Sequence, residues 1–238
     1  MMTKVVNFNY QNRIISLELR PDTQDEDMAR KEVFSNYYLK YGNLEIKEGD
    51  TVLDLGANIG SFSIAAAILG AKKIVAVEPC PDSITLLEHN LETNKELFSE
   101  PVTIFRGGIM GNGESKAPLY LSNDPHGSGG HTLNLPESEN PESHKSVEVA
   151  VTSLDELIKN TIGDGIVDFL KLDIEGAEYE VLMTCQSLPR IRQISLEWHR
   201  GPVNFAGLLK FLATHGYSVA WFEGDNDRGK LQVRLNNI

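Results

Sequence analysis

The 238-residue chain is 41% apolar and 24% charged, the balance of a globular protein with one large α/β domain. Its formal net charge of −12 comes without any cluster of Lys and Arg, which argues against a nucleic-acid partner and suits a neutral, hydroxyl-bearing one. With no apolar run of ~18 residues, no secretory leader, and only Cys80 and Cys185 as thiols, the expectation is a cytoplasmic protein without disulfides or a membrane partner.

Residues 4–20 alternate around Gln11-Asn12 and predict a small hairpin, with Val5, Phe8, Ile14, Leu17 and Leu19 as its apolar positions. Residues 22–41 open on acids that suit a helix N-terminus and predict a helix. Together, 1–45 read as a hairpin-and-helix cap beside a main domain covering 46–238.

From 51 onward the pattern alternates. Strands are expected at 51–55, 74–78, 102–106, 167–172, 191–197, 217–222 and 230–235, and helices at 60–69, 82–94, 153–160, 176–186 and 204–215. Ser153 and Glu156 have capping-box spacing, and Gly70, Gly163 and Gly216 stand where helices stop. The fold class is therefore α/β: a doubly wound, mostly parallel sheet with helices on both faces. The last two strands, joined by G-D-N-D-R-G, predict a hairpin and hence an antiparallel final strand. Residues 107–150 interrupt the alternation as an inserted loop. Two more strands, 117–121 and 146–151, flank a polar stretch with glycines at 127, 129 and 130, which reads as a mobile lid.

The segment T-V-L-D-L-G-A-N-I-G, 51–60, carries the first chemistry. An apolar strand ends in Asp54, turns through Gly56 and Gly60 and enters a helix whose N-terminus faces a pocket. A dinucleotide site needs G-x-G-x-x-G, but Asn58 occupies the place of the second glycine. Asp54 would repel a diphosphate and suits a cationic ammonium or sulfonium centre. Glu78, at the end of the next strand and followed by Pro79, is placed to accept both hydroxyls of a ribose. These features point to S-adenosylmethionine. Arg106 and Gly107, after the third strand, are expected near its adenine.

D-L-G-A-N-I-G-S-F, V-E-P-C-P, L-K-L-D-I-E-G-A-E-Y-E-V-L and L-E-W-H, in that order between Gly49 and His199, resemble the FkbM family of S-adenosylmethionine-dependent methyltransferases. The resemblance implies a seven-stranded Rossmann-like sheet of the class I methyltransferase type. It also implies O-methylation of a small hydroxylated acceptor such as a sugar or secondary metabolite. Cys80 and Ser83 fall in a variable stretch, and the 122–145 loop has no clear counterpart.

On the acceptor side, Asp173 ends the fourth strand and also borders the cofactor, with Glu175 and Glu178 within one turn. Glu178 suits a plain helix N-terminus as well as a site role. Alternation puts Glu197 and His199 on one face of the next strand and Trp198 on the other. Two roles compete. In one, His199 is a general base oriented by Glu197 or Asp173; in the other, Asp173, Glu197 and His199 hold a divalent metal. In the long loop, His131 is the better acceptor contact and His126 the weaker one. The oligomeric state is open, although the hairpin edges could pair. Rival readings are N- or C-methylation on the same fold, a NAD-dependent oxidoreductase and a non-catalytic binding module. L-D-I-E-G in place of an N-P-P-Y-like tetrapeptide counts against N-methylation of nucleobases, the missing dinucleotide fingerprint against the oxidoreductase, and the retained acids against the module.

Overall fold

A computed structural model describes residues 2–10, 13–111, 113–124, 129–135, 139–199, 205–224 and 228–236. The N-terminus pairs as an antiparallel hairpin of β1 (Lys4–Tyr10) and β2 (Arg13–Leu19). Ile15, Leu17 and Leu19 share its buried face, so the apolar positions Val5 and Ile14 point outward. Helix α1 (Asp25–Phe34) is shorter than the expected 22–41. Asp22 and Asn36, at φ 60 and 49, leave the right-handed helical region at either side of it.

The main sheet contains β3 (Thr51–Leu55), β4 (Lys73–Glu78), β5 (Thr103–Arg106), β9 (Phe169–Leu172), β10 (Gln193–His199), β11 (Tyr217–Gly224) and β12 (Arg228–Leu235). Its order is β11-β12-β10-β9-β3-β4-β5. The five strands from β10 to β5 run parallel. β12 is antiparallel to both neighbours and lies between β10 and β11, so the final hairpin folds inward. β3 and β9 are buried on both faces and show no polar alternation, as the centre of a parallel sheet requires.

Helices α4 (Leu154–Thr161), α5 (Glu178–Thr184) and α6 (Phe205–Thr214) cover one face through Leu157, Val181, Leu182 and Leu208. On the other face lie α2 (Ser61–Ile68), α3 (Pro81–Thr93), the hairpin and α1. Ser153 caps α4 by accepting the Glu156 N–H, while the Glu156 carboxylate accepts from Thr152. α5 begins at Glu178 rather than 176, because Glu175 and Gly176 adopt φ 58 and 116.

Asn90 of α3 and Asn94, which caps its C-terminus, cover the edge of β2. Asn90 accepts the Glu18 N–H at 2.7 Å and donates to the Glu18 carbonyl at 3.1 Å. Asn94 does the same for Ser16 at 3.1 and 2.8 Å. Side-chain amides thus replace a neighbouring strand and satisfy backbone groups that burial would otherwise strand. The inserted segment builds its own small sheet, β6 (Gly108–Ile109), β8 (Ser146–Thr152) and β7 (Lys116–Tyr120), in that order. Its apolar face, Leu119, Val149 and Val151, packs on Cys80.

Candidate active site

A cavity of about 470 Å³ opens at the carboxyl ends of β3, β4, β9 and β10, where the chain order reverses. Gly56, Asn58, Glu78, Pro79, Asp173 and His199 form its floor. Met28, Glu32 and Tyr37 close one side, and Ser122, Gly130 and His131 of the inserted segment close another.

Gly56 is fixed as glycine by its surroundings. At φ 81, a Cβ would lie 1.8 Å from the Asp173 carbonyl oxygen. Beyond it, Asn58 adopts φ 47 and donates its N–H to Glu78 Oε2 at 2.8 Å. The Cys80 N–H donates to Glu78 Oε1 at 2.9 Å. Burial pushes the Glu78 carboxyl up, and the two N–H donors pull it back. Each oxygen retains lone-pair capacity, so a fixed, buried carboxylate at the cavity wall fits the vicinal hydroxyls of a ribose.

Several expected contacts fall elsewhere. Gly60 caps α2 and packs under Leu87, away from the cavity. Gly107 donates to the Glu78 carbonyl and lies against the Ala150 carbonyl, and its neighbour Gly108 forms the cavity wall instead. Arg106 is exposed and pairs with Glu88 at 2.5 Å.

Asp54 is withdrawn from the cavity. Alternation turns it away from the Leu53 and Leu55 face, and it is wholly buried. Ser63 Oγ donates to its Oδ2 at 2.7 Å, and its Oδ1 lies 3.1 Å from Lys171 Nζ, the residue in register on β9. The expected partner of a ligand cation is thus already engaged by a protein cation. Lys171 also donates to the Gly56 carbonyl at 2.6 Å and lies 5.2 Å from the Tyr38 ring centre. Burial alone would depress its pKa, but the charges of Asp54, Asp173 and Glu32 raise it well above the ordinary lysine value. A lysine inside L-K-L-D, an otherwise apolar strand, was its only sequence signal.

The end of the cavity at β9 and β10 centres on His199, 8% exposed. Its Nδ1 lies 3.2 Å from Glu178 Oε1, and that carboxylate also accepts the N–H groups of Ile174 and Gly176 at 3.1 Å each. Its Nε2 lies 3.7 Å from Glu197 Oε1 and 3.9 Å from Glu175 Oε2. The orienting acid is therefore Glu178; Glu197 flanks the opposite nitrogen, and Asp173 lies at 3.8 Å from Nδ1. Asp173 accepts the Tyr38 hydroxyl at 2.6 Å. Trp198 turns to the other face and packs on Phe205, as alternation requires.

Burial would lower the His199 pKa, yet the Glu178 hydrogen bond and the charges of Asp173 and Glu175 raise it to about 9. Burial and the Asp173 charge raise Glu197 to about 7, against the pull of His199. Burial likewise raises Glu32 to about 7, opposed by Lys171. Glu175 is raised by burial and accepts the Gly130 N–H at 3.2 Å, which ties the inserted segment to the site. His131 Nδ1 accepts the Ser122 N–H at 3.0 Å, and burial lowers its pKa while Glu78 opposes. His131 therefore lines the cavity under the influence of Glu78. His126 lies outside the described residues.

Among the described residues, one ligand atom each from Asp173, Glu178 and His199 falls within 4.8 Å of the others. This differs from the expected metal set, with Glu178 in the place of Glu197. The Glu178–His199 hydrogen bond accounts for the closest of these approaches. No helix among the described residues is long and apolar enough to cross a membrane.

Residues 54–219 match the methyltransferase FkbM domain. The chain belongs to the FkbM methyltransferase family. It is 26% identical over 211 residues to the 31-O-demethyl-FK506 methyltransferase FkbM of Streptomyces tacrolimicus, covering 79% of this chain and 80% of that protein. It is 28% identical over 178 residues to the methyltransferase sdnD of Sordaria araneosa, covering 64% and 66%. Among solved structures it resembles the FkbM methyltransferase of Methylobacillus flagellatus, with a TM-score of 0.53 at 17% identity over 83% of this chain and 50% of that one. It also resembles Aeropyrum pernix fibrillarin with bound S-adenosyl-L-methionine, with a TM-score of 0.52 at 13% identity over 96% and 82%. At such identities the structural likeness shows the fold alone, that of class I methyltransferases. This FkbM-family chain is thus an S-adenosylmethionine-dependent methyltransferase, of a family other than that of the NAD-dependent oxidoreductases.

Proposed function

We propose that this methyltransferase acts on a hydroxyl oxygen of a small molecule, with the Glu178–His199 pair as its general-base dyad. The observation that carries the reading is the placement of His199. Its Nδ1 is engaged by a buried carboxylate, and its Nε2 is left between Glu175 and Glu197 in the cavity that holds Glu78. An alcohol is a poor nucleophile until its proton is removed, and a histidine fixed through one nitrogen presents the other as the base.

S-adenosylmethionine, when bound, supplies an electrophilic methyl group on a sulfonium. Glu78 would accept the ribose hydroxyls, and Pro79, Gly108 and Ile109 form the cavity wall beside it. His199 Nε2 takes the acceptor proton. Glu178 holds Nδ1–H and balances the imidazolium that forms, while Asp173, anchored by Tyr38, adds negative charge on the same side. Glu175 and His131 border the acceptor, and the Gly130 N–H on Glu175 holds this part of the inserted segment against that side of the cavity.

The relative from Streptomyces tacrolimicus is named for a 31-O-demethyl acceptor, which supports oxygen as the receiving atom. The net charge of −12 and the acid-rich cavity favour a small molecule over RNA. The test is release of S-adenosylhomocysteine with panels of hydroxylated metabolites, amines and RNA. Turnover on hydroxyl acceptors that fails in His199→Ala supports the proposal; turnover on amines or RNA alone overturns it.

A further inference from the structure

We infer that Arg20 is a positioning residue for the donor site, locking Asn58 and, through Asn58, the carboxylate of Glu78. The N-terminal hairpin then orders together with the cofactor-binding loop and acts as part of the binding machinery.

The geometry is specific. Arg20 directly follows β2, and its side chain is 12% exposed. Nε and one terminal nitrogen grip Asp25, wholly buried at the start of α1, at 2.9 and 3.0 Å. The same terminal nitrogen also donates to Asn58 Oδ1 at 2.7 Å, and the other donates to Ser83 Oγ at 3.2 Å. Ser83 in turn donates to Asn58 Oδ1 at 3.1 Å. The Asn58 side chain is therefore clamped by two donors, while its backbone N–H holds Glu78 Oε2 at 2.8 Å.

Asn58 sits at φ 47, a left-handed angle that asparagine adopts more readily than other non-glycine residues, and a hold on its side chain keeps its N–H aimed at Glu78. Arg20 supplies that hold, and its planar fork serves Asp25 and Asn58 at once, which a lysine cannot do. The rest of the path is equally fixed: Asn90 bonds both Glu18 of β2 and the Ile59 carbonyl in the glycine loop, the latter at 2.9 Å. Hairpin, glycine loop and the end of β4 therefore share one polar network. Among the described residues, Met28, Glu32 and Tyr37 carry the N-terminal region on to the cavity itself.

The inference rests on Glu78 as a donor-binding residue, and it is independent of which atom is methylated. The test is calorimetric binding of S-adenosylhomocysteine to the full chain without acceptor. Arg20→Lys keeps a cation for Asp25 and loses the fork; Asn58→Gly removes the clamped amide while tolerating the backbone angle. Each is expected to weaken binding about tenfold with little change in melting temperature, and the double variant should be no weaker than either single one. Bound S-adenosylhomocysteine should also slow amide exchange of β2 in the parent chain and not in Asn58→Gly. Affinity within about twofold of the parent in both single variants overturns the inference, as do losses that add independently in the double variant. Unchanged affinity in Glu78→Ala would instead remove the donor-site assignment beneath it.

Discussion

Glu178 Oε1 lies 3.2 Å from His199 Nδ1, although the two residues are 21 positions apart and belong to α5 and β10. The turn at Glu175 and Gly176 brings the first residue of α5 back toward the end of β10. The acid that looks like a helix-start residue in sequence is thereby the hydrogen-bond partner of the candidate base.

Removing either member of this pair should lower kcat and leave donor binding intact. His199→Ala is expected to reduce kcat by about 10²–10⁴, and Glu178→Gln by a smaller factor, since the amide still bonds the ring but no longer balances its charge. Steady-state kinetics with S-adenosylhomocysteine calorimetry checks both. A drop in donor affinity equal to the drop in kcat would show that the pair supports the fold and not the chemistry.

The pH dependence follows from the direction of the His199 shift. A base must be neutral, and the raised pKa of about 9 leaves the ring protonated at neutral pH. The rate should therefore climb roughly tenfold per pH unit through neutrality and level off above about 9. If Glu197 were the base, the plateau would begin near 7. A pH–rate profile of the parent and of Glu197→Gln separates the two.

Lys171 and Asp54 should be coupled in stability. Lys171→Met leaves Asp54 buried with Ser63 as its remaining polar partner, and removing one member of a buried ion pair costs about 3–5 kcal/mol. The double variant Asp54→Asn/Lys171→Met should recover much of that loss. Denaturant melts read both. Additive losses would show that the pair is not a stabilising unit.

Chelation tests the carboxylate–imidazole cluster. The hydrogen bonds of Asp173, Glu178 and His199 account for its geometry without an ion, so activity in EDTA should equal activity in buffer. Loss in EDTA, restored by added Mn²⁺, Mg²⁺ or Zn²⁺, would assign these three residues to a metal.

The legible parts of the site are those fixed by local sequence. Glu78 before Pro79 had to end a strand, and Glu197 and His199, two apart, had to share a face of theirs. Strand spacing and the final hairpin were readable for the same reason, since hydrophobic period and turn residues act over a few positions. Asp54 shows where that reasoning stops. Its position before the glycines was plain, but its direction depended on a lysine more than a hundred residues away. Gly60 and Gly107 belong to the same class: their neighbours, Leu87 and the Ala150 carbonyl, are set by packing between elements.

By itself the sequence determined the alternation of strands and helices, the cofactor class and the family, because these rest on local periodicity and on a contiguous motif. Only the tertiary structure decided which charges meet. Register between β3 and β9 set Lys171 beside Asp54, the turn before α5 set Glu178 beside His199, and the packing of the hairpin on α3 set Arg20 beside Asn58. Each pair joins residues remote in the chain, and a buried charge or amide is satisfied by whatever the fold brings within about 3 Å of it.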